Sequence, residues 1–375
     1  MKGLFIYFKL LHHTASTYSQ YVWKDLLNID FCEPIDYFGK SVFEHIIEKR
    51  KFFFYNNKGH LTGQCLSPEL CFPKIRYSKF VRLFDPEKQI DKNTTSIEKY
   101  DYLIIAAFNG YYKYINWIID NFPNTPVILI QDDSIEEIQY SHPLLQREML
   151  KAVRNSDGFI SYQKEMYSLT KIHENSIFIH HPMNPNFKPT LKQNQEKNLI
   201  CIGVGCWNYD FMNILTGLSV LNKIRNKTKT EINAEFLGVH DYQKNKYEKI
   251  FEQEKVKIKE WSKYGNYYND LKRYSLIFNL NGRAVAGRVS AESAIVGTPV
   301  IGNYLADMQE YCWPNLSVQK YDAFRICELS NELLFNEKFR TNQIELAQNR
   351  IKDLKNNFEN TRKYVKDFIE KIIRK

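Results

Sequence analysis

The feature that most constrains this chain is an alternation of short apolar runs with longer amphipathic stretches, repeated on both sides of a polar break. Leu4–Leu10, Tyr102–Ala107, Pro126–Gln131, Gly158–Tyr162 and Ile177–His180 are too short for helices and nearly continuous in apolar residues, as strands buried on both faces require. Between them Tyr114–Asn121, with Ile115, Ile118 and Ile119, and His142–Arg154, with Leu144, Leu145, Met149 and Val153, repeat at helical spacing. A second series runs through strands Leu199–Val204, Asn233–Leu237, Val256–Ile258, Ser275–Leu280 and Pro299–Gly302. Its helices are Asp210–Asn222, Tyr242–Gln253, Tyr267–Lys272 and Ser290–Val296. Strands and helices taking turns imply parallel sheets with crossover helices.

The break is Asn184–Asn198, a Pro/Lys/Gln/Asn-rich stretch that suits a linker. The expected class is therefore α/β, with two Rossmann-like domains facing a cleft. Residues 1–190 form the first domain, 191–340 the second, and 341–375 a helical tail. Two readings of the tail stay open: Tyr364, Phe368, Ile369 and Ile372 turn back onto the first domain, or the helix stands solvated and basic.

With 43% hydrophobic and 25% charged residues the chain has material for packed cores, which excludes a disordered or collagen-like protein. Fifty-two Lys and Arg against 43 Asp and Glu leave a formal charge of +9, which favours anionic partners such as phosphates, nucleic acid or a lipid surface. No apolar stretch approaches the ~20 residues that span a bilayer, so no transmembrane segment is expected and contact with an anionic membrane is peripheral. Seven cysteines without a C-x-x-C pair read as free thiols in a reducing compartment. The expected location is cytoplasmic, with peripheral contact at the inner membrane face.

Chemistry concentrates in Asn281-Gly282-Arg283-Ala284-Val285-Ala286-Gly287-Arg288-Val289-Ser290-Ala291-Glu292 and the run to Gly302. A strand enters a loop of small residues, and the loop opens a helix that stops at Gly297. Backbone N–H groups can approach a ligand closely there, and the helix N-terminus adds partial positive charge, as a phosphate cradle needs. Arg283 and Arg288 add forked cations suited to diphosphate oxygens. Glu292, placed in the first turn of the expected helix, can accept hydrogen bonds from two vicinal ribose hydroxyls or serve as a capping-box residue.

Glu292-Ser-Ala-Ile-Val-Gly-Thr-Pro-Val-Ile301 resembles the Glu-Ala-x-Ala-x-Gly-x-Pro-Val-Ile run of GT-B glycosyltransferases, notably glycosyltransferase family 4. The resemblance implies that Glu292 binds the ribose of a nucleotide sugar and that Gly287 lies against its diphosphate and sugar. Ala284 stands where that family has its first glutamate. Ile202-Gly203-Val204-Gly205-Cys206-Trp207-Asn208 replaces its basic pattern, so Gly205 is the donor-loop candidate and Arg283 or Arg288 the source of positive charge. Arg288-Val289-Ser290-Ala291-Glu292 is also similar to the arginine and glutamate of phage DNA glucosyltransferases, which share the architecture.

Ligands of open parallel sheets bind beyond the carboxyl ends of strands, and Val127–Gln131 leads there into Asp132-Asp133-Ser134. Asp132 is the candidate base for an acceptor hydroxyl and Asp133 its neighbour, unless Asp133 or Ser134 caps the helix that follows. The pair lacks an Asp-x-Asp spacing, so neither metal nor cofactor is expected. His12 and His13 follow the first strand and His181 the last strand of the first domain; each stands at the expected cleft or is structural. Ile258 is the candidate to stack on the nucleobase. Tyr264, Tyr267 and Tyr268 line that pocket or fill the core.

The expected activity is transfer of a hexosyl or pentosyl group from a nucleotide-diphosphate sugar, such as a UDP- or GDP-sugar, to a hydroxyl. The acceptor is a lipid-linked or cell-surface glycan or, alternatively, a modified DNA base. A non-catalytic nucleotide-sugar-binding protein and a same-fold epimerase stay open. Family resemblance favours retention of configuration, whereas a base at Asp132 favours inversion.

Overall fold

The computed structural model describes residues 1–6, 23, 26–27, 29–32, 34–35, 81–82, 100–107, 112–131, 134–139, 143–171, 173–181, 196, 198–204, 212–228, 231–238, 241–260, 267–319 and 321–374. They fall into two compact units, one holding described residues up to 181 together with 357–374, the other holding 196–356.

The first unit contains β1 (Gly3–Ile6), β2 (Asp30–Cys32), a short pair β3 (Pro34–Ile35) and β4 (Val81–Arg82), β5 (Tyr102–Ala107), α1 (Tyr112–Asn121) and β6 (Val127–Gln131). It continues through α2 (Ile135–Gln139), α3 (Pro143–Asn155), β7 (Gly158–Ser161), α4 (Lys164–Thr170) and β8 (Ser176–Phe178). Its main sheet has the order β2-β1-β5-β6-β7-β8, parallel throughout. All six residues of β5 and all five of β6 are buried, which explains why these strands lack an alternating pattern. Helix α1 puts Ile115 and Ile118 into the core at the expected helical spacing.

The second unit contains β9 (Leu199–Val204), α5 (Ile214–Lys227), β10 (Asn233–Leu237), α6 (Asp241–Gln253), β11 (Val256–Lys259), α7 (Tyr267–Arg273) and β12 (Leu276–Asn279). There follow α8 (Arg288–Val296), β13 (Val300–Asn303), α9 (Asp307–Cys312), a 3₁₀ turn Pro314–Leu316, β14 (Ser317–Val318), α10 (Ala323–Phe335) and α11 (Glu337–Asn356). The order β11-β10-β9-β12-β13-β14 is again all parallel and is that of dinucleotide-binding folds. The strand order reverses direction at β9, so the carboxyl ends of β9 and β12 flank the place where such sheets hold ligands.

Several expected boundaries move, for identifiable reasons. Helix α5 begins at Ile214 rather than Asp210 because Asn213 adopts a left-handed conformation, φ 50°, with its side-chain amide donating to Leu280 O at 2.5 Å. Helix α8 begins at Arg288 because Gly287 takes φ 75°. The stretch expected as one tail divides. Helix α11 stays with the second unit, where it buries Ala347 and Ile351, so that unit runs past residue 340 to 356. Helix α12 (Phe358–Ile373) belongs to the first unit. Its Phe368 and Ile372 lie over Gly158, and Arg362 Nε donates to Leu26 O at 3.1 Å.

Cys201, Cys312 and Cys327 are free and buried, and burial pushes the Cys201 thiol up to about 12, which makes it inert as a nucleophile. Among the described residues no helix is long and apolar enough to cross a membrane.

Candidate functional site

Strand β12 delivers the chain at its carboxyl end to Leu280 and Asn281, and the segment to Gly287 folds along the start of α9. Val285 bridges Ala306, Asp307 N donates to Val285 O at 2.9 Å, and Met308 N donates to Ala286 O at 3.0 Å. Gly287 is required twice over. Its backbone is left-handed, and a Cβ would stand 3.1 Å from Ala306 Cβ and 3.2 Å from Met308 N. Packing against α9 therefore accounts for this glycine independently of any ligand.

Because α8 starts at Arg288, Glu292 lies in its second turn, not the first, and no side chain caps the helix. The capping-box alternative is thereby removed. Glu292 is 3% exposed and its Oε2 has no hydrogen-bond partner. Burial pushes the carboxyl up to about 8, against the opposing pull of the Arg288 guanidinium and the Tyr267 hydroxyl, so it holds its proton to higher pH than an exposed carboxyl does. A buried oxygen without a partner is costly unless another group supplies the hydrogen bond.

The two arginines behave differently. Arg283 is buried, its backbone N and its Nε donating to Asn281 Oδ1 at 3.1 and 3.2 Å, while Asn281 O accepts from Asn303 Nδ2 at 2.8 Å. It is a loop-locking group as well as a local cation. Arg288 is half-buried at the first helical position, and its charge reaches Glu292. Tyr267 and Tyr268 of α7 are buried with ring centroids 6.0 Å apart, and Lys259 Nζ lies 3.1 Å from Asp270 Oδ1. Ile258 is half-buried in β11, in register with Phe236.

Thus Arg288 and Glu292 share one helix with Gly287 at its N-cap, Arg283 lies in the loop that precedes it, and Ile258 sits on a strand of the same sheet as β12. Gly205, His12, His13, Asp132, Asp133 and Tyr264 lie outside the described residues. His181 is buried in the first unit with its ring 4.9 Å from that of Tyr162.

At the carboxyl ends of the first sheet the structure also gathers residues that the sequence did not mark. Tyr112 OH donates to Gln131 Oε1, Trp23 Nε1 donates to Tyr162 OH at 2.6 Å, and the Trp23 and Tyr162 rings are 6.4 Å apart. Gln131 is fully buried and its Nε2 has no partner. The one available signal was an amide closing the apolar run Val-Ile-Leu-Ile-Gln.

No family model matches the chain, and no curated protein matches it in sequence. Solved structures do match in shape. HepE of Anabaena in complex with UDP and glucose superposes with a TM-score of 0.65 at 10% identity, covering 99% of this chain and 100% of HepE. Sucrose-phosphate synthase of Thermosynechococcus elongatus gives 0.67 at 10% identity, with both chains covered in full. TarM of S. aureus, in complex with Fondaparinux, alpha-GlcNAc-glycerol and UDP, gives 0.54 at 12% identity over 73% of this chain and 56% of TarM. The chain has the two-unit parallel α/β fold of these GT-B proteins, with a helical tail.

Proposed function

We propose that the protein is a glycosyltransferase that takes its sugar from a nucleotide-diphosphate donor, a UDP-sugar first of all, held by the second unit. The observation that carries this reading is Glu292, a buried carboxyl with an unpartnered Oε2 in the helix that follows β12, beside the turning point of the strand order. Two vicinal ribose hydroxyls would donate the missing hydrogen bonds and favour the ionised carboxylate, so donor binding would release a proton at neutral pH. Arg288 and the N–H groups at the start of α8 would face the charge of a diphosphate, and the family 4 resemblance implies the ribose for Glu292 and the diphosphate and sugar for Gly287. Arg283 tunes the potential of the loop.

The acceptor we propose is a hydroxyl of a lipid-linked or cell-surface glycan, made by a cytoplasmic protein whose excess of basic residues meets an anionic membrane face. The transfer needs no metal or cofactor, so chelator should leave its rate unchanged. Release of UDP from UDP-glucose and other UDP-sugars, with glycan, glycolipid and DNA acceptors in parallel, tests the whole reading. Sugar-dependent UDP release that Glu292→Ala abolishes supports it. Donor binding with no release on any acceptor, or isomerisation of the donor alone, overturns the transferase and leaves the binding protein or the epimerase.

A further inference from the structure

A buried polar network lies under the first turn of α8. Ser290, wholly buried, donates through Oγ to Gln309 Oε1 at 2.6 Å and accepts from Asn279 Nδ2 at 3.2 Å. Ser290 O accepts from Trp313 Nε1 at 2.9 Å. Gln309, also wholly buried, donates through Nε2 to Val300 O at 3.0 Å and reaches Leu316 O at 3.4 Å. Gly302 is the matching indentation in β13, since a Cβ there would come 2.5 Å from Gln309 Oε1. Asn279 of β12, Gln309 of α9 and Trp313 thus bond Ser290 directly, and Gln309 ties it on to β13 and the 3₁₀ turn.

We infer that Gln309 is a positioning residue for donor binding, acting through Ser290 on the placement of Glu292; this rests on the donor-site reading above. Helix α8 follows a left-handed glycine and has no side-chain cap, so no capping side chain helps fix the height or rotation of its first turn. The amide of Gln309 supplies that constraint instead: its oxygen holds the Ser290 hydroxyl while its nitrogen is held by strand and turn carbonyls. Ser290 and Glu292 are two residues apart on a rigid helix with a rise of about 1.5 Å per residue, so a turn or slide at Ser290 moves the carboxyl by the same rotation. Satisfied buried networks specify one arrangement, whereas a half-satisfied network admits several.

The test is a double-mutant cycle on UDP affinity, read by calorimetry with circular dichroism confirming that each variant is folded. Gln309→Met keeps the volume and removes both ends of the amide's hydrogen bonding; Ser290→Ala is the milder variant should Gln309→Met fail to fold. Either is expected to weaken UDP binding about tenfold. In a Glu292→Ala background the same change should add less than about twofold, because both act through one carboxyl. Losses that add in full, or UDP affinity unchanged in folded Gln309→Met or Ser290→Ala, overturn the positioning role. If Glu292→Ala alone leaves UDP affinity at the wild-type value, the donor-site reading itself fails, and this arm separates that failure from the first.

Discussion

The two sheets are near copies in plan and differ in what they bury at their carboxyl ends. The second has one more strand on the far side of its first strand, and its order reverses at β9 beside β12; the first reverses at β1 beside β5. Near the carboxyl end of β12 in the second unit, a carboxyl oxygen, Glu292 Oε2, is left without a hydrogen-bond partner; at the end of β6 in the first it is the neutral amide Gln131 Nε2. Burial must raise the pKa of a carboxyl, and a neutral amide has no charge to perturb. Where it has been placed by the same architecture, the titratable group makes the second unit sensitive to pH and the amide does not do so for the first.

The largest effect that can break this contrast is the pH dependence of stability. A carboxyl held near 8 when folded and near its ordinary 4.5 when unfolded binds its proton more tightly in the folded state. Its stabilising share is complete below pH 4.5 and is lost as pH rises through 8, at about 1.4 kcal/mol per pH unit across that window. Denaturant melts of the wild type should therefore weaken from pH 5 to 8, and Glu292→Gln should flatten that slope. An equal slope in the two proteins would remove Glu292 as its source.

Next in size comes the comparison of two glycines. Gly287→Ala forces a left-handed alanine, costing roughly 1–2 kcal/mol, and presses its Cβ on backbone nitrogens that cannot yield. A loss of about 2–3 kcal/mol in chemical denaturation is expected, together with weaker UDP binding. Gly158→Ala in β7 meets Ile372 Cδ1 and Phe368 Cζ instead, the ends of flexible side chains on α12. Its cost should stay under about 1 kcal/mol, because alanine also improves on glycine in a strand. If Gly158→Ala proves the more damaging of the two, the tail packs more rigidly than the loop at Gly287.

What was legible in the sequence followed from burial. Tyr102–Ala107 and Leu199–Val204 were placed at both ends because strands covered on both faces must be apolar throughout. The starts of α5 and α8 were misplaced because a left-handed residue ends or opens a helix without leaving a hydrophobic trace, and Asn213 and Gly287 are such residues. That displacement put Glu292 in the first turn instead of the second, and no spacing in the sequence marked its carboxyl as buried. Gln309 was invisible because it meets Ser290 from nineteen residues away, with no spacing rule that joins a residue of one helix to the floor of another. The tail was split for a similar reason: Ala347 and Ile351 serve one unit and Phe368 and Ile372 the other, although all four fit one helical pattern.

The central claim, that Glu292 receives the ribose of a nucleotide-diphosphate sugar, is tested most directly by a crystal structure with UDP bound. The account predicts both ribose hydroxyls within hydrogen-bond distance of the Glu292 carboxylate, with Oε2 no longer unpartnered, and the diphosphate at the start of α8 beside Arg288. UDP bound elsewhere, with Glu292 unchanged and still buried, would contradict it.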